Sequence, residues 1–308
     1  MYKSAIAALA LAAAMGLGVE MSASQVPPDI AAKIKAVGQK IDPSIGPLYA
    51  PLLSLEPYPG VTVTRDQAYG SDPLQKLDVF TPSAKGSKLR PVLLFVHGGG
   101  FVRGDKHTPG TPFTDNQLVW GVNHGMVGVN INYRLAPKDP WPAGAKDLAA
   151  AIAWTRANIK AYGGDPDRIF IWGHSAGANH VADYVAHTEV QGAEAVGVKG
   201  AILLSPVYAP ALGPQPSAYY GADADVQTAG PQIARLMKSP IPIFLGGAEY
   251  DPEFFQVFRE SLKEALKSKP GSGFVYLKDH DHLSEGFAVG TADTSLTDPM
   301  LKWMQGVK

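Results

Sequence analysis

The 308-residue chain contains no cysteine, which removes disulfides, thiolate metal centres, a cysteine nucleophile and a lipid-modified N-terminal cysteine together. Charge is scarce too. Asp, Glu, Lys and Arg make up 18% of the residues and the formal net charge is −1. No basic run exceeds two residues, which argues against a nucleic-acid groove or an electrostatic membrane anchor. Internal repeats and low-complexity segments are absent. Long apolar runs are missing except at the very start. There, "MYKSAIAALALAAAMGLGVEMSAS" sets Lys3 before an apolar run from about Ala5 to Gly18 and ends on Ser22, Ala23 and Ser24. A bilayer span needs about 20 apolar residues, and this run is shorter. The layout predicts a signal peptide over residues 1–24, cut after Ala23 or Ser24. The mature chain, 25–308, is then expected outside the cytoplasm, periplasmic or secreted, with no stable membrane anchor.

What is plentiful is glycine, 33 residues, and proline, 26, scattered as many connecting loops require. Residues of about 25–60 read as an N-terminal arm, with an amphipathic helix in "PPDIAAKIKAVGQKI" and an irregular stretch in "DPSIGPLYAPLLSLEPYPG". A rhythm follows. Apolar runs occur at "LDVFTP", "PVLLFVHGGG", "GMVGVNINYRLAP", "RIFIWGHS", "GAILLSPVY", "IPIFLGG" and "GFVYLKDH". Helical patterns lie between several of them, at "AGAKDLAAAIAWTRANIKAYG", "AGANHVADYVAHT", "PEFFQVFRESLKEALKS" and "SLTDPMLKWMQGV". Continuous rather than alternating apolar runs mark strands covered on both faces. The fold class is α/β, with a mostly parallel central sheet and helices on both faces. Residues of about 209–240 read as a small cap-like insertion.

The chemistry starts at "FIWGHSAGANH". Gly173-His174-Ser175-Ala176-Gly177 is a G-x-S-x-G placed directly after a strand and before a helix. Such a turn lifts a serine hydroxyl above the sheet edge and turns the next amide, Ala176, toward a developing oxyanion. Upstream, His97-Gly98-Gly99-Gly100 ends another strand. Three consecutive glycines bare the backbone N–H groups, so Gly99, Gly100 and Ala176 form the candidate oxyanion hole. Phosphate cradling needs a different glycine spacing with Lys-Ser/Thr, which is missing. His97 is expected to orient its own loop.

"HGGGF", "NYRLAP…WPAG" and "GHSAG", in that order, resemble the α/β-hydrolase esterases of the hormone-sensitive lipase type. The resemblance runs from about Leu77 to the end and implies the α/β-hydrolase fold and a serine ester hydrolase. Two positions depart from it: His174 stands where that family usually has aspartate, and Ala178 replaces a glycine. In this, "GHSAGA" is similar to kynurenine formamidases and to feruloyl or xylan esterases of the same fold. The resemblance implies that the triad acid is the aspartate of the Asp-Pro pair, Asp251, with Glu249 as its rival. It also implies that the base is His282 in "HLS", with His280 as its rival. An alternative use of Asp279, His280, Asp281 and His282 is a metal nest, but residues at i and i+2 of a strand do not converge easily on one ion.

The expected reaction is hydrolysis of small or short-chain esters by Ser175, His282 and Asp251 through an acyl-enzyme. It calls for no cofactor and no metal, and the partner is a small-molecule ester. An arylformamidase or amidase with the same triad, or a non-catalytic binding protein of this fold, are the rival classes. Phe101, Tyr208, Tyr219, Tyr220 and Phe254 are candidate pocket walls, but a plain core or surface place is the better expectation for each, and none is assigned individually.

Overall fold

In a computed structural model, the described residues are 20–21, 24–84, 86–191, 197–208 and 217–307. The signal peptide expected over 1–24 lies outside them apart from Glu20, Met21 and Ser24, as do residues 209–216 of the expected cap.

Among the described residues nine strands build one sheet: β1 Glu20–Met21, β2 Val61–Ala68, β3 Lys76–Pro82, β4 Arg90–Val96, β5 Val127–Ile131, β6 Gly164–His174, β7 Val198–Leu204, β8 Ile243–Tyr250 and β9 Gly273–Asp281. Across the sheet they run β1-β9-β8-β7-β6-β4-β5-β3-β2. Only β3 lies antiparallel to its neighbours, β2 and β5; the other pairs are parallel.

The apolar strand runs are continuous because both faces are covered. In β4, Val92, Leu94 and Val96 enter one core while Leu93 and Phe95 enter the other. In β6, Ile169 and Ile171 take the first side, Phe170 and Trp172 the second. Successive side chains of a strand point to opposite faces, so one run feeds two cores. The first core is closed by the helices Ala143–Asn158, Ala176–Ala186, Ala229–Lys238 and Glu253–Leu266, the second by Asp115–Asn123 and Thr297–Gly306.

Two of these elements have weak sequence signals. Strand β2, "VTVTRDQA", is half polar and mostly half-exposed at the sheet edge. Its register slips between Thr64 and Gln67, where Asp66 adopts φ 58°. The helix Asp115–Asn123 follows Thr114 at φ 62°; its Thr-Asp start has the residue types of a cap, but the Thr114 side chain makes no cap hydrogen bond.

The N-terminal arm makes a third, smaller core. Ile30 and Ile34 of the helix Pro28–Val37 pack with Ile45 and Tyr49 against Ala288. The Gln25 Oε1 accepts a hydrogen bond from the Thr294 N–H at 3.0 Å. The arm is thereby fastened to the segment that follows β9.

Candidate active site

Strand β6 ends at His174 and a helix begins at Ala176, so a single residue makes the corner. That residue is Ser175, at φ 53° and ψ −124°. A non-glycine residue held there costs on the order of 1–3 kcal/mol, supplied by the surrounding structure. The Ser175 N–H is pinned to the Leu204 carbonyl at 2.9 Å. The flanking glycines are steric requirements. A Cβ on Gly173 would stand 2.2 Å from the Gly177 oxygen, and one on Gly177 2.0 Å from the Val96 oxygen.

From this corner a hydrogen-bonded line runs across the strand ends. Ser175 Oγ lies 2.9 Å from His282 Nε2, and His282 Nδ1 lies 2.8 Å from Asp251 Oδ1. His282 follows β9 directly, and Asp251 follows β8. Asp251 is fully buried, and its second oxygen accepts from the Ser205 hydroxyl at 2.7 Å and the Ala248 N–H at 3.1 Å. Arg259 stands 3.6 Å from the same oxygen. The Phe255 ring lies tilted against the His282 ring at 4.2 Å, and His174 lies at 4.9 Å. The rivals stand elsewhere. Glu249 accepts from the Asp279 N–H at 2.9 Å. His280 faces Asp293 at 3.0 Å and Ser284 at 3.2 Å. Ser205, Arg259 and Phe255 support the line without belonging to any motif, so sequence reasoning had no handle on them.

The glycine loop arrives from β4. Gly98 comes so near that an added Cβ would be 3.1 Å from the Ser175 Cβ, while Gly99 and Gly100 take φ of 127° and 61°. A Cβ on Gly99 would sit 1.9 Å from the Arg103 oxygen. His97 does orient this loop: its ring bonds the Gly98 oxygen at 2.6 Å and the Asn132 side chain at 3.1 Å. Asn132 Oδ1 also accepts from the Lys106 N–H at 2.6 Å, and the Tyr133 hydroxyl donates to the His97 oxygen at 2.9 Å. The "NYR" triplet thus holds the loop with its first two residues. Its third, Arg134, forks onto buried Asp147 at 2.7–3.0 Å. These bonds tie two of the quoted motifs together.

Beneath the line sits His174. It contacts the His282 carbonyl at 2.7 Å through Nε2, so that nitrogen carries the proton. Burial, with the charge of His282, pushes the His174 imidazole down to about 3, and it stays neutral at working pH. Glu285 Oε1 is 3.2 Å from the same nitrogen yet makes no hydrogen bond, because that N–H already points at the carbonyl. Burial, with Asp251 nearby, pushes the Glu285 carboxyl well up. Two groups among the described residues gather three possible metal ligands, His174/His282/Glu285 and Glu56/His107/Asp115. Both nitrogens of His282 are already engaged, and Arg65 donates to both Glu56 and Asp115. The rings of His280 and His282 serve different carboxylates, Asp293 and Asp251.

The aromatic candidates divide. Phe101, Tyr208, Tyr219 and Tyr220 are buried core, while Phe254 is 40% exposed. Phe101 stacks on Tyr219 at 4.8 Å. Tyr208 and Tyr220 donate to fully buried Asp183, at 2.7 and 2.8 Å, clamping residues 217–220 onto the helix behind Ser175. Burial pushes the Asp183 carboxyl up to about 8, against the pull of the two phenols. The unfolded chain sheds this proton near pH 4, so folding takes one up between there and pH 8. Stability therefore falls as pH rises, by at most about 1.4 kcal/mol per pH unit from this group. The clearest window is above about pH 6.5, where His174 and His180, both pushed down to about 3 by burial, are neutral folded or unfolded. Glu285 adds a slope of the same sign. In urea titrations from pH 6.5 to 8, Asp183→Asn is expected to lose part of the slope that the wild type shows. Equal slopes would show Asp183 to be ionised.

The BD-FAE family model matches residues 77–195. Esterase LipC of Mycobacterium tuberculosis is 40% identical over 111 residues, 36% of this chain and 27% of that protein. Bile salt-activated lipase of Homo sapiens is 30% identical over 208 residues, 56% of this chain and 27% of the lipase. The chain thus spans about a quarter of the length of these relatives. A solved bacterial heroin esterase matches with a TM-score of 0.66 at 22% identity, covering 91% of this chain and 98% of that one. In a solved structure from work on two esterases of Rhizomucor miehei the score is 0.64 at 22% identity, over 91% and 97%. The chain has the α/β-hydrolase fold, and it resembles esterases built on it.

Proposed function

We propose that the chain is a serine carboxylesterase that cleaves small or short-chain acyl esters through an acyl-enzyme. The observation that carries this is the unbroken line from Ser175 Oγ through His282, 2.9 Å, to Asp251, 2.8 Å. In it, Ser175 attacks the ester carbonyl while His282 takes its proton. Asp251 fixes the imidazole tautomer and stabilises its charged form. The N–H groups of Gly99, Gly100 and Ala176 are assigned to the oxyanion, each worth about 10²–10³ in rate. His282 then protonates the leaving alcohol, and water, activated by the same histidine, releases the acid.

A panel of p-nitrophenyl acetate, butyrate, octanoate and decanoate, beside N-formylaniline, tests the reading. Turnover should be fastest on the short acyl groups and weakest on decanoate. Cleavage of N-formylaniline with none of the esters would replace the ester reading by an amide one. We also assign the enzyme to the periplasm or the medium, on the layout of residues 1–24. Cell fractionation with N-terminal sequencing checks this, and protein found only in the cytoplasm with a start at Met1 refutes it.

A further inference from the structure

We propose that the alcohol half of the ester lies in an apolar groove built by the N-terminal arm beside the base. This inference rests on the esterase reading. The groove has a volume of about 610 Å³, inside the roughly 300–1,000 Å³ range of small-molecule sites. Pro43, Pro47 and Pro51 of the arm form one wall, Phe113 of the loop after the glycines another, and Leu283 and Phe287 the third. The Phe113 and Phe287 rings pack at 4.0 Å as its base. Of its lining residues only Thr111 has a polar side chain, and that hydroxyl donates to the Thr108 carbonyl at 3.0 Å. Nothing in the groove recognises a sugar or a charge, so its occupant is apolar. Prolines hold φ fixed, so the wall exists before the ligand arrives and binding orders little.

Position decides which half of the ester enters. A general acid must come within about 3 Å of the oxygen it protonates, so the leaving oxygen lies at His282 Nε2. The alcohol substituent continues past the imidazole, away from Gly99 and Ala176. The next residue after His282, one Cα step of about 3.8 Å, is Leu283, which lines the groove. Leu283 is thus the link between base and groove, and on it the assignment to the leaving-group side rests. The groove is far too large for methanol and suits an aryl-alkyl or medium-length alkyl alcohol.

The test crosses two ester series. Ethyl, hexyl and 2-phenylethyl acetate vary the alcohol, and ethyl acetate, hexanoate and 3-phenylpropanoate vary the acid. All the acetates give one acetyl-enzyme, so differences among them appear in kcat/KM. Ala50→Trp fills the groove from its half-buried arm position, and Leu53→Trp replaces it if that variant does not fold. The ratio of kcat/KM for 2-phenylethyl over ethyl acetate should fall about 10-fold in the variant. An unchanged ratio overturns the proposal, and so does a loss that follows the acid series instead. Saturation-transfer NMR with 2-phenylethanol reads the groove without turnover. A wild-type signal that Ala50→Trp removes supports the groove even if no ester is cleaved, which would sink the esterase reading alone. No wild-type signal overturns the groove while leaving the esterase reading to the ester panel.

Discussion

Ser175→Ala and His282→Ala are each expected to lower kcat/KM on p-nitrophenyl acetate by about 10⁴- to 10⁶-fold. The size follows from the geometry. In the proposed mechanism Ser175 Oγ has its proton acceptor, His282 Nε2, 2.9 Å away, so the two act as a unit and losing either forfeits what both supply. The double variant should be scarcely worse than either single one, the residue of activity coming from oxyanion contacts and binding. Folding complicates neither. Alanine at position 175 meets the same backbone constraint as serine, and a thermal melt of His282→Ala checks the space opened beside Phe255. His280→Ala serves as the contrast: it breaks contacts to Asp293 and Ser284, so it should melt earlier while folded enzyme keeps its activity. Retention of more than a tenth of wild-type activity by Ser175→Ala would place the nucleophile elsewhere.

Asp251→Asn should cost about 10⁴-fold in kcat while leaving the fold intact. An amide in place of the carboxylate no longer holds the proton on His282 Nδ1, so Nε2 stops being a free acceptor for Ser175. It also offers no charge to the imidazolium. The second oxygen of Asp251, held by Ser205 and Ala248, fixes which way the amide turns, and its NH₂ meets the imidazole. Glu249→Gln should stay within about threefold, because its carboxylate serves only the Asp279 N–H among the hydrogen bonds described. If the two variants exchange effects, Glu249 is the acid.

The nucleophile corner and the glycine loop were legible in the sequence because their chemistry forces residue identity. Gly173 and Gly177 leave no room for a Cβ, so the pattern survives in any chain that makes this turn. The choice between Glu249 and Asp251, or His280 and His282, was not forced. All four are polar residues near strand ends, and only the fold decides which faces Ser175. Strand β2 escaped notice because its exposed polar residues break the apolar run. The groove was invisible for another reason. Its walls come from three separate segments of the chain, the first and last more than two hundred residues apart, and no local signal marks such a surface. Of the aromatics named as candidate pocket walls, Phe101, Tyr208, Tyr219 and Tyr220 belong to the core and Phe254 is exposed.

The interacting parts stand at the ends of separate strands, His282 lying 107 positions after Ser175 and 31 after Asp251. Between the strands ending at Ser175 and His282 lie β7 and β8, so no shorter piece of the sheet brings them within reach. Contacts of such long sequence separation form late and raise the folding barrier. The line from Ser175 to His282 is therefore incomplete until β9, the last strand in the chain, has paired with β8.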